Sequence, residues 1–324
     1  MTEKQRLLFA FAPVFGALAL LFMASVLIFG WLNIVMAPEN LRMVGFVTLG
    51  CAVLVAAAWH WGNLAVLSAC LCVVYFLLLP TPMAMFSYAS TGLGAARPLF
   101  DADLASMDAA MGFDWLAALA WFNQWPPLVE LLGLAYHGTI VPLIYLLVFL
   151  NVVGRHDRLV EFAWMFLGTC VLANILSGLW PAHGAYVHFR PDDALRSAIS
   201  SDAGVWHLVH FEQLRAGTFH NFKLAETQGL VTFPSFHTAA ALVIPIALRG
   251  YGVLTAMAWA MAATVLASTV PIGGHYLVDV VAGTAMTLFC FWLVKFLMPK
   301  LEMAHATASS DSAKAVTPVS QFQS

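Results

Sequence analysis

An all-α, polytopic membrane bundle of about eight transmembrane helices is what this sequence predicts, and three observations carry the expectation. The 324 residues are 61% apolar and only 10% Asp, Glu, Lys or Arg, whereas an average soluble domain is roughly 45–50% apolar and about 25% charged. The charges are also clumped. None occurs between Arg42 and Arg97, Glu130 and Arg155, Glu161 and Arg190, Glu226 and Arg249, or Arg249 and Asp279. Each gap holds a helix of about 20 residues, enough to cross a bilayer core. Finally, the apolar runs are continuous, without the alternation of a barrel strand, so helices are the structure that satisfies the backbone in lipid.

The spans fall at roughly 8–30, 43–59, 64–86, 131–151, 160–180, 235–249, 252–270 and 276–297. Lys4 and Arg6 precede the first, which lies in an apolar run from Leu7 to Ala37. A signal peptide core has only about 7–15 residues, so this run predicts an uncleaved span. Residues 1–63 are two N-terminal transmembrane helices, and residues 64–300 a six-helix core carrying outer loops at 87–130 and 181–234. In the first loop, Leu104, Met107, Met111, Trp115 and Phe122 share one arc at helical spacing. They predict a helix that either lies along the outer interface or packs as a strut on the bundle. Residues 301–324, rich in Ser, Ala, Thr and Gln, cannot build a core and are expected to be a disordered cytoplasmic tail.

Short connections bearing Lys4, Arg6, Arg155, Arg158, Arg249, Lys295 and Lys300 mark one side as cytoplasmic. The long loops, where acidic residues outnumber basic ones, then face outward. A net charge of −3 without a basic cluster excludes a nucleic-acid partner. Cys51, Cys70, Cys72, Cys170 and Cys290 all sit in apolar runs and read as packing residues. His207 and His210 have chelating spacing but no fixed acidic or Cys companion, so no metal site is expected.

Chemistry concentrates in two short segments. In PIGGHYLVDVVAG, Asp279 is an acidic residue just inside a span, a functional candidate by position. His275 precedes it by one helical turn, so the carboxylate can orient the imidazole. Gly273 and Gly274 allow close approach, and the helix start is expected to offer amides to a phosphate. In VTFPSFHTAA, Ser235 is placed as an N-cap and His237 lies in the first turn. Two imidazoles and a carboxylate at two outer helix starts suit phosphoryl transfer through a phosphohistidine.

The Pro-Ser-x-His segment followed some forty residues later by His-Tyr-x-x-Asp resembles the type 2 phosphatidic acid phosphatase superfamily. The closer likeness is to its inositol phosphorylceramide synthase branch, and it covers about residues 130–298. The resemblance implies His275 as nucleophile, Asp279 as its partner, His237 as general acid and Ser235 as a phosphate contact. It implies a membrane lipid substrate, water or an alcohol or lipid acceptor, and neither a metal nor an organic cofactor. The activity implied is that of a lipid phosphatase or head-group phosphotransferase, on the periplasmic side if the membrane is a bacterial inner membrane. Two departures stand out. The first motif Lys-x6-Arg-Pro is reduced to His183-x6-Arg190-Pro191, and Thr269 stands where the third motif carries arginine. Arg190 is the first candidate to supply the missing charge, with Arg196, Arg215 and Lys223 behind it. A proton-coupled transporter using His275 and Asp279 is the alternative, against which the sequence shows no broken helix at mid-membrane.

Overall fold

The computed structural model describes the backbone of residues 1–315 and the side chains of residues 1–297. The tail expected over 301–324 falls on residues whose side chains, and from 316 whose backbone, lie outside the described part.

Every predicted apolar stretch is helical. Helix α1 (Glu3–Trp31) starts with a capping box between Thr2 and Gln5 and is followed by α2 (Pro38–Trp61). Asn63 caps α3 (Leu64–Leu78), and Pro80 opens α4 (Pro80–Leu93) directly behind it. In the first outer loop the predicted single arc is two helices, α5 (Asp101–Ala110) and α6 (Trp115–Asn123), broken at Gly112 with φ 78°. Leu104 and Trp115 are buried while Met107 and Met111 are exposed, so the loop packs as a strut on the bundle. Next come α7 (Pro126–His137), α8 (Ile140–Val152) and α9 (His156–Leu179). The second outer loop holds the short α10 (Ala185–Phe189) and α11 (Leu208–Arg215). The chain ends with α12 (Phe236–Ala247), α13 (Val253–Thr269) and α14 (Leu277–Ala315).

The count of crossings differs from the eight expected. Among the described residues, five helical stretches are long and apolar enough to span a membrane: α1, α2, α3 with α4, α9 and the first part of α14. A sixth, α7 with α8, is bent by 54°. Pro142 has no N–H for the carbonyl of Gly138, one turn back, and its ring crowds that carbonyl. Thr139 Oγ1 instead bonds back to the carbonyls of Ala135 and Tyr136 at 2.9 and 2.8 Å. Helices α12 and α13, with 12 and 17 residues, are shorter than a straight crossing of about 20. Pro234 stands just before the first, and Gly250 and Gly252 turn the chain at φ 91° and 53° between them.

The main core joins α1, α3, α8, α9, α12 and α14 through residues such as Phe11, Leu71, Leu150, Phe162, Phe166, Val243 and Cys290. Helices α4 and α9 touch backbone to backbone: a Cβ on Gly94 would stand 2.3 Å from the Gly178 carbonyl oxygen. Small residues at such crossings are how membrane helices approach closely. At the far end of α9 from this contact, buried Glu161 binds Arg249 of the α12–α13 turn at 2.5 Å and Lys295 of α14 at 2.5 Å. Arg158 donates to the carbonyl of Ala247 nearby, so three of the basic residues used to assign the cytoplasmic side share one end.

At the opposite end the N-terminal pair takes hold of the second outer loop. Strand β1 (Val35–Met36), between α1 and α2, pairs in parallel with β2 (Asn221–Phe222). Asn40 donates to the carbonyl of Phe222 at 3.0 Å. Phe29, Tyr88, Phe211, Phe219 and Phe222 close an aromatic cluster beneath it.

Candidate active site

The start of α14 is built from its backbone outward. His275 Nδ1 lies 3.1 Å from Asp279 Oδ2, and both side chains are buried. A carboxylate oxygen in this role accepts, so Nδ1 carries the hydrogen and Nε2 keeps a lone pair for attack. Asp279 Oδ2 also accepts from the Tyr276 amide at 3.0 Å. Gly274 adopts φ 67°, and a Cβ there would lie 2.8 Å from Gly204 Cα and from the Tyr186 ring. The second outer loop thus closes directly on the residue before His275.

The expectation of open amides at this helix start is corrected. The amides of Leu277 and Val278 donate to Asp108 Oδ2 and Oδ1, both at 2.8 Å. A carboxylate supplied by the first outer loop therefore sits where a phosphate was placed by sequence reasoning. Anion binding at a helix start is satisfied here from within the chain.

Across from α14, Ser235 is fully buried and links the two helices. Its amide donates to the Asp279 carbonyl at 3.0 Å, and its hydroxyl caps α12 by accepting from Thr238 N at 3.4 Å. Phe236 and His237 are the first residues of α12, so their amides have no partner within the helix. The His237 ring stacks on Tyr136 with centroids 3.8 Å apart and planes 20° from parallel. The same Tyr136 ring lies beside His275: a Cβ on Gly273 would stand 2.8 Å from Tyr136 Cε2 and 2.8 Å from His275 Cδ2. His275, Asp279, His237 and Ser235 are thus brought together by one helix crossing.

The Arg190 side chain makes no contact with this group. Arg190 caps α10 with φ 49°, its amide donating to the Tyr186 carbonyl at 3.1 Å, while its exposed side chain makes no hydrogen bond or ion pair among the described residues. Arg215 donates to the carbonyl of Arg97, and Lys223 pairs with Glu226 at the surface. Arg196 is linked to the site through Tyr186: its guanidinium lies 4.9 Å above the Tyr186 ring, the same ring that roofs Gly274. It also donates to the carbonyls of Ser200 and Ser201.

Among the outer-loop histidines, His207 is buried, its Nε2 3.0 Å from the His183 carbonyl. Burial, ahead of its neighbours, pushes its pKa down to about 4. His210 turns the other way, onto the Tyr88 hydroxyl at 2.6 Å. The two do not chelate, and no group of three His, Cys, Asp or Glu among the described residues could hold a metal. His137 is exposed at the end of α7.

Sequence reasoning missed Tyr136, Trp115, Asp101 and Asp108. Trp115 Nε1 donates to the His275 carbonyl at 3.1 Å. Asp101 and Asp108 had a visible signal, seven residues apart on one face of a predicted helix, but only the apolar arc of that helix was read.

With the site described, comparison with known families matches residues 102–293, more than half of the chain, to the family described as PAP2 superfamily. No curated protein and no solved structure matches the chain.

Proposed function

Since the chain belongs to the PAP2 superfamily and carries its long apolar helices in a membrane bundle, we propose that it moves the phosphate head of a membrane lipid through a phosphohistidine on His275. The observation that carries this reading is the buried His275–Asp279 pair beside the Tyr136 ring on which His237 stacks, inside the matched segment.

In the proposed cycle, His275 Nε2 attacks phosphorus and the bond from phosphorus to the leaving oxygen breaks. His237, as imidazolium, gives that oxygen its proton. Water or an alcohol then attacks the phosphohistidine, neutral His237 takes the incoming hydroxyl proton, and His275 is released. Asp279 holds the Nδ1 hydrogen throughout and stabilises positive charge on the attacking ring. The open amides at the start of α12 support phosphate placement there, with Ser235 acting as the cap that orients them. The charge that Thr269 cannot supply is assigned to Arg196, whose placement over Tyr186 favours it above Arg190.

Water as acceptor gives a lipid phosphatase, and a lipid or inositol hydroxyl gives a phosphotransferase of the inositol phosphorylceramide synthase kind. The site faces outward, toward the periplasm in a bacterial inner membrane, because Arg158, Arg249 and Lys295 gather at the opposite end. One observation favours the transporter alternative: the broken α7–α8 span brings Tyr136 against His237.

Purified protein with radiolabelled phosphatidic acid separates these readings. An acid-labile phosphoprotein is expected, absent in His275→Ala. Asp279→Asn should lower turnover on the order of 10³–10⁴-fold. Vanadate should inhibit, and a chelator should not. Full turnover in His275→Ala would remove the proposal, and added alcohols distinguish transfer from hydrolysis by their phosphorylated products.

A further inference from the structure

Two carboxylates of α5, Asp101 and Asp108, hold the three residues that follow His275. Asp108 takes the amides of Leu277 and Val278, one on each oxygen, at 2.8 Å. Asp101 Oδ1 accepts from the Tyr276 hydroxyl at 3.0 Å and from the Gly184 amide at 2.9 Å, while its Oδ2 accepts from the His183 amide at 2.9 Å. Both are buried, and seven residues apart they share one face of α5. Asp108 has no ion-pair partner among the described residues, so its charge is balanced by N–H groups and the positive end of α14. From the neighbouring α6, Trp115 holds the carbonyl of His275 itself. The backbone at positions 275 to 278 is thus gripped from the first outer loop, and the Asp101 oxygens fasten the second loop to the same point.

We infer that Asp108, seconded by Asp101, is a positioning residue for the reaction at His275: the first outer loop sets the nucleophile against α12 by clasping the first turn of α14. The inference rests on the phosphohistidine reading above. A carboxylate with two accepting oxygens fits two parallel amides. An asparagine there offers one acceptor and turns an N–H₂ group toward the second amide, so the helix start shifts and His275 moves with it. Displacement of an attacking group by about 1 Å lowers turnover on the order of 10²-fold while leaving substrate binding elsewhere intact.

The test uses the full-length protein in detergent micelles with phosphatidic acid as probe, turnover being counted per site titrated by its phosphohistidine burst. Asp108→Asn is expected to lose about 10²-fold in kcat per titrated site with KM within about threefold. Asp108→Glu, which keeps the carboxylate, should recover part of the loss. Tyr276→Phe removes only a hydroxyl, folds more readily, and should lose about tenfold by releasing Asp101's hold, since a hydrogen bond to a charged group is worth about that much. A merely structural role would lower the number of titratable sites and leave kcat per site unchanged. If His275→Ala is inactive while Asp108→Asn and Tyr276→Phe both stay within about threefold of wild type per site, the inference fails and the function stands. If His275→Ala retains turnover, the function itself fails and takes the inference with it.

Discussion

Gly283→Ala is the sharpest perturbation of the helix crossing that assembles the site. A Cβ at this position would stand 2.6 Å from the Ser235 carbonyl oxygen and 3.2 Å from Thr238 Cβ. Ordinary contact begins at 3.4 Å, so α12 and α14 must separate by about 0.8 Å, the difference between 3.4 and 2.6. The obstructing atom is backbone and cannot rotate away. The bond from the Ser235 amide to the Asp279 carbonyl lies in the same contact and would lengthen from 3.0 Å. Overpacking of this kind costs about 1–3 kcal/mol, visible as a lowered melting temperature. The larger effect is expected on chemistry, because on the proposed reading His237, the acid on α12, would move away from His275, the nucleophile just before α14, and a shift near 1 Å is worth on the order of 10²-fold. Turnover of phosphatidic acid and of p-nitrophenyl phosphate by the purified variant makes the check. The alkoxide leaving group needs the His237 proton and the nitrophenolate does not, so the first substrate should lose on the order of 10²-fold and the second about tenfold or less. Wild-type turnover of both substrates with an unchanged melting temperature would refute the argument that this crossing sets the distance between acid and nucleophile.

Other perturbations have equally definite outcomes. Single cysteines placed at exposed positions of the 190–225 loop should react with an impermeant thiol reagent in intact cells, and one beside Arg249 should not; the reverse pattern overturns the orientation. His207 has its pKa lowered from 6.5 to about 4 by burial, so the unfolded chain binds this proton more readily than the folded one. Stability from this group is complete above pH 6.5 and is lost as pH falls toward 4, about 3 kcal/mol in all. Melting temperature against pH should therefore decline over that window, less steeply in His207→Gln, and an equal decline in both removes the assignment. Arg196→Ala should cost about 10²-fold in kcat while Arg190→Ala stays within a few-fold, as measured by phosphate release; the opposite ranking would restore Arg190 and the His183-x6-Arg190-Pro191 reading.

Much of the bundle was legible because lipid imposes a local rule: each span must be a continuous apolar run, and each run is visible in the sequence. The pairing of His275 with Asp279 was legible too, since four residues across the start of a helix keep the two side chains within reach. What was not legible depends on partners far away along the chain. Asp108 meets Leu277 across 169 residues, and nothing around either residue announces the other. The helix start at 277 was therefore read as open when it is closed. The break between α7 and α8 had a local cause, Pro142, yet the apolar run continues through it and hides the bend. Arg190 stands out in the sequence because it closely follows the fifth span and forms an Arg-Pro pair, but position within a loop does not fix direction, and at the left-handed turn of Arg190 the side chain is exposed to solvent.

The short parallel pairing of β1 with β2 bears on how the protein can be divided. The matched family segment begins at residue 102, which invites trimming the first two helices to obtain a minimal catalytic fragment. Trimming there would strip the edge of Asn221–Phe222, remove Asn40 from the Phe222 carbonyl and uncover Phe222 where Phe29 lies against it. Those residues belong to the loop whose earlier part rests on Gly274. A fragment reconstituted without residues 1–63 would keep every residue of the His275 site, yet its outer cover would lose the fastening at Asn221–Phe222 while keeping those at Gly274, Tyr88 and Arg97. Co-expression of the two pieces, rather than deletion of the first, is the division this architecture allows.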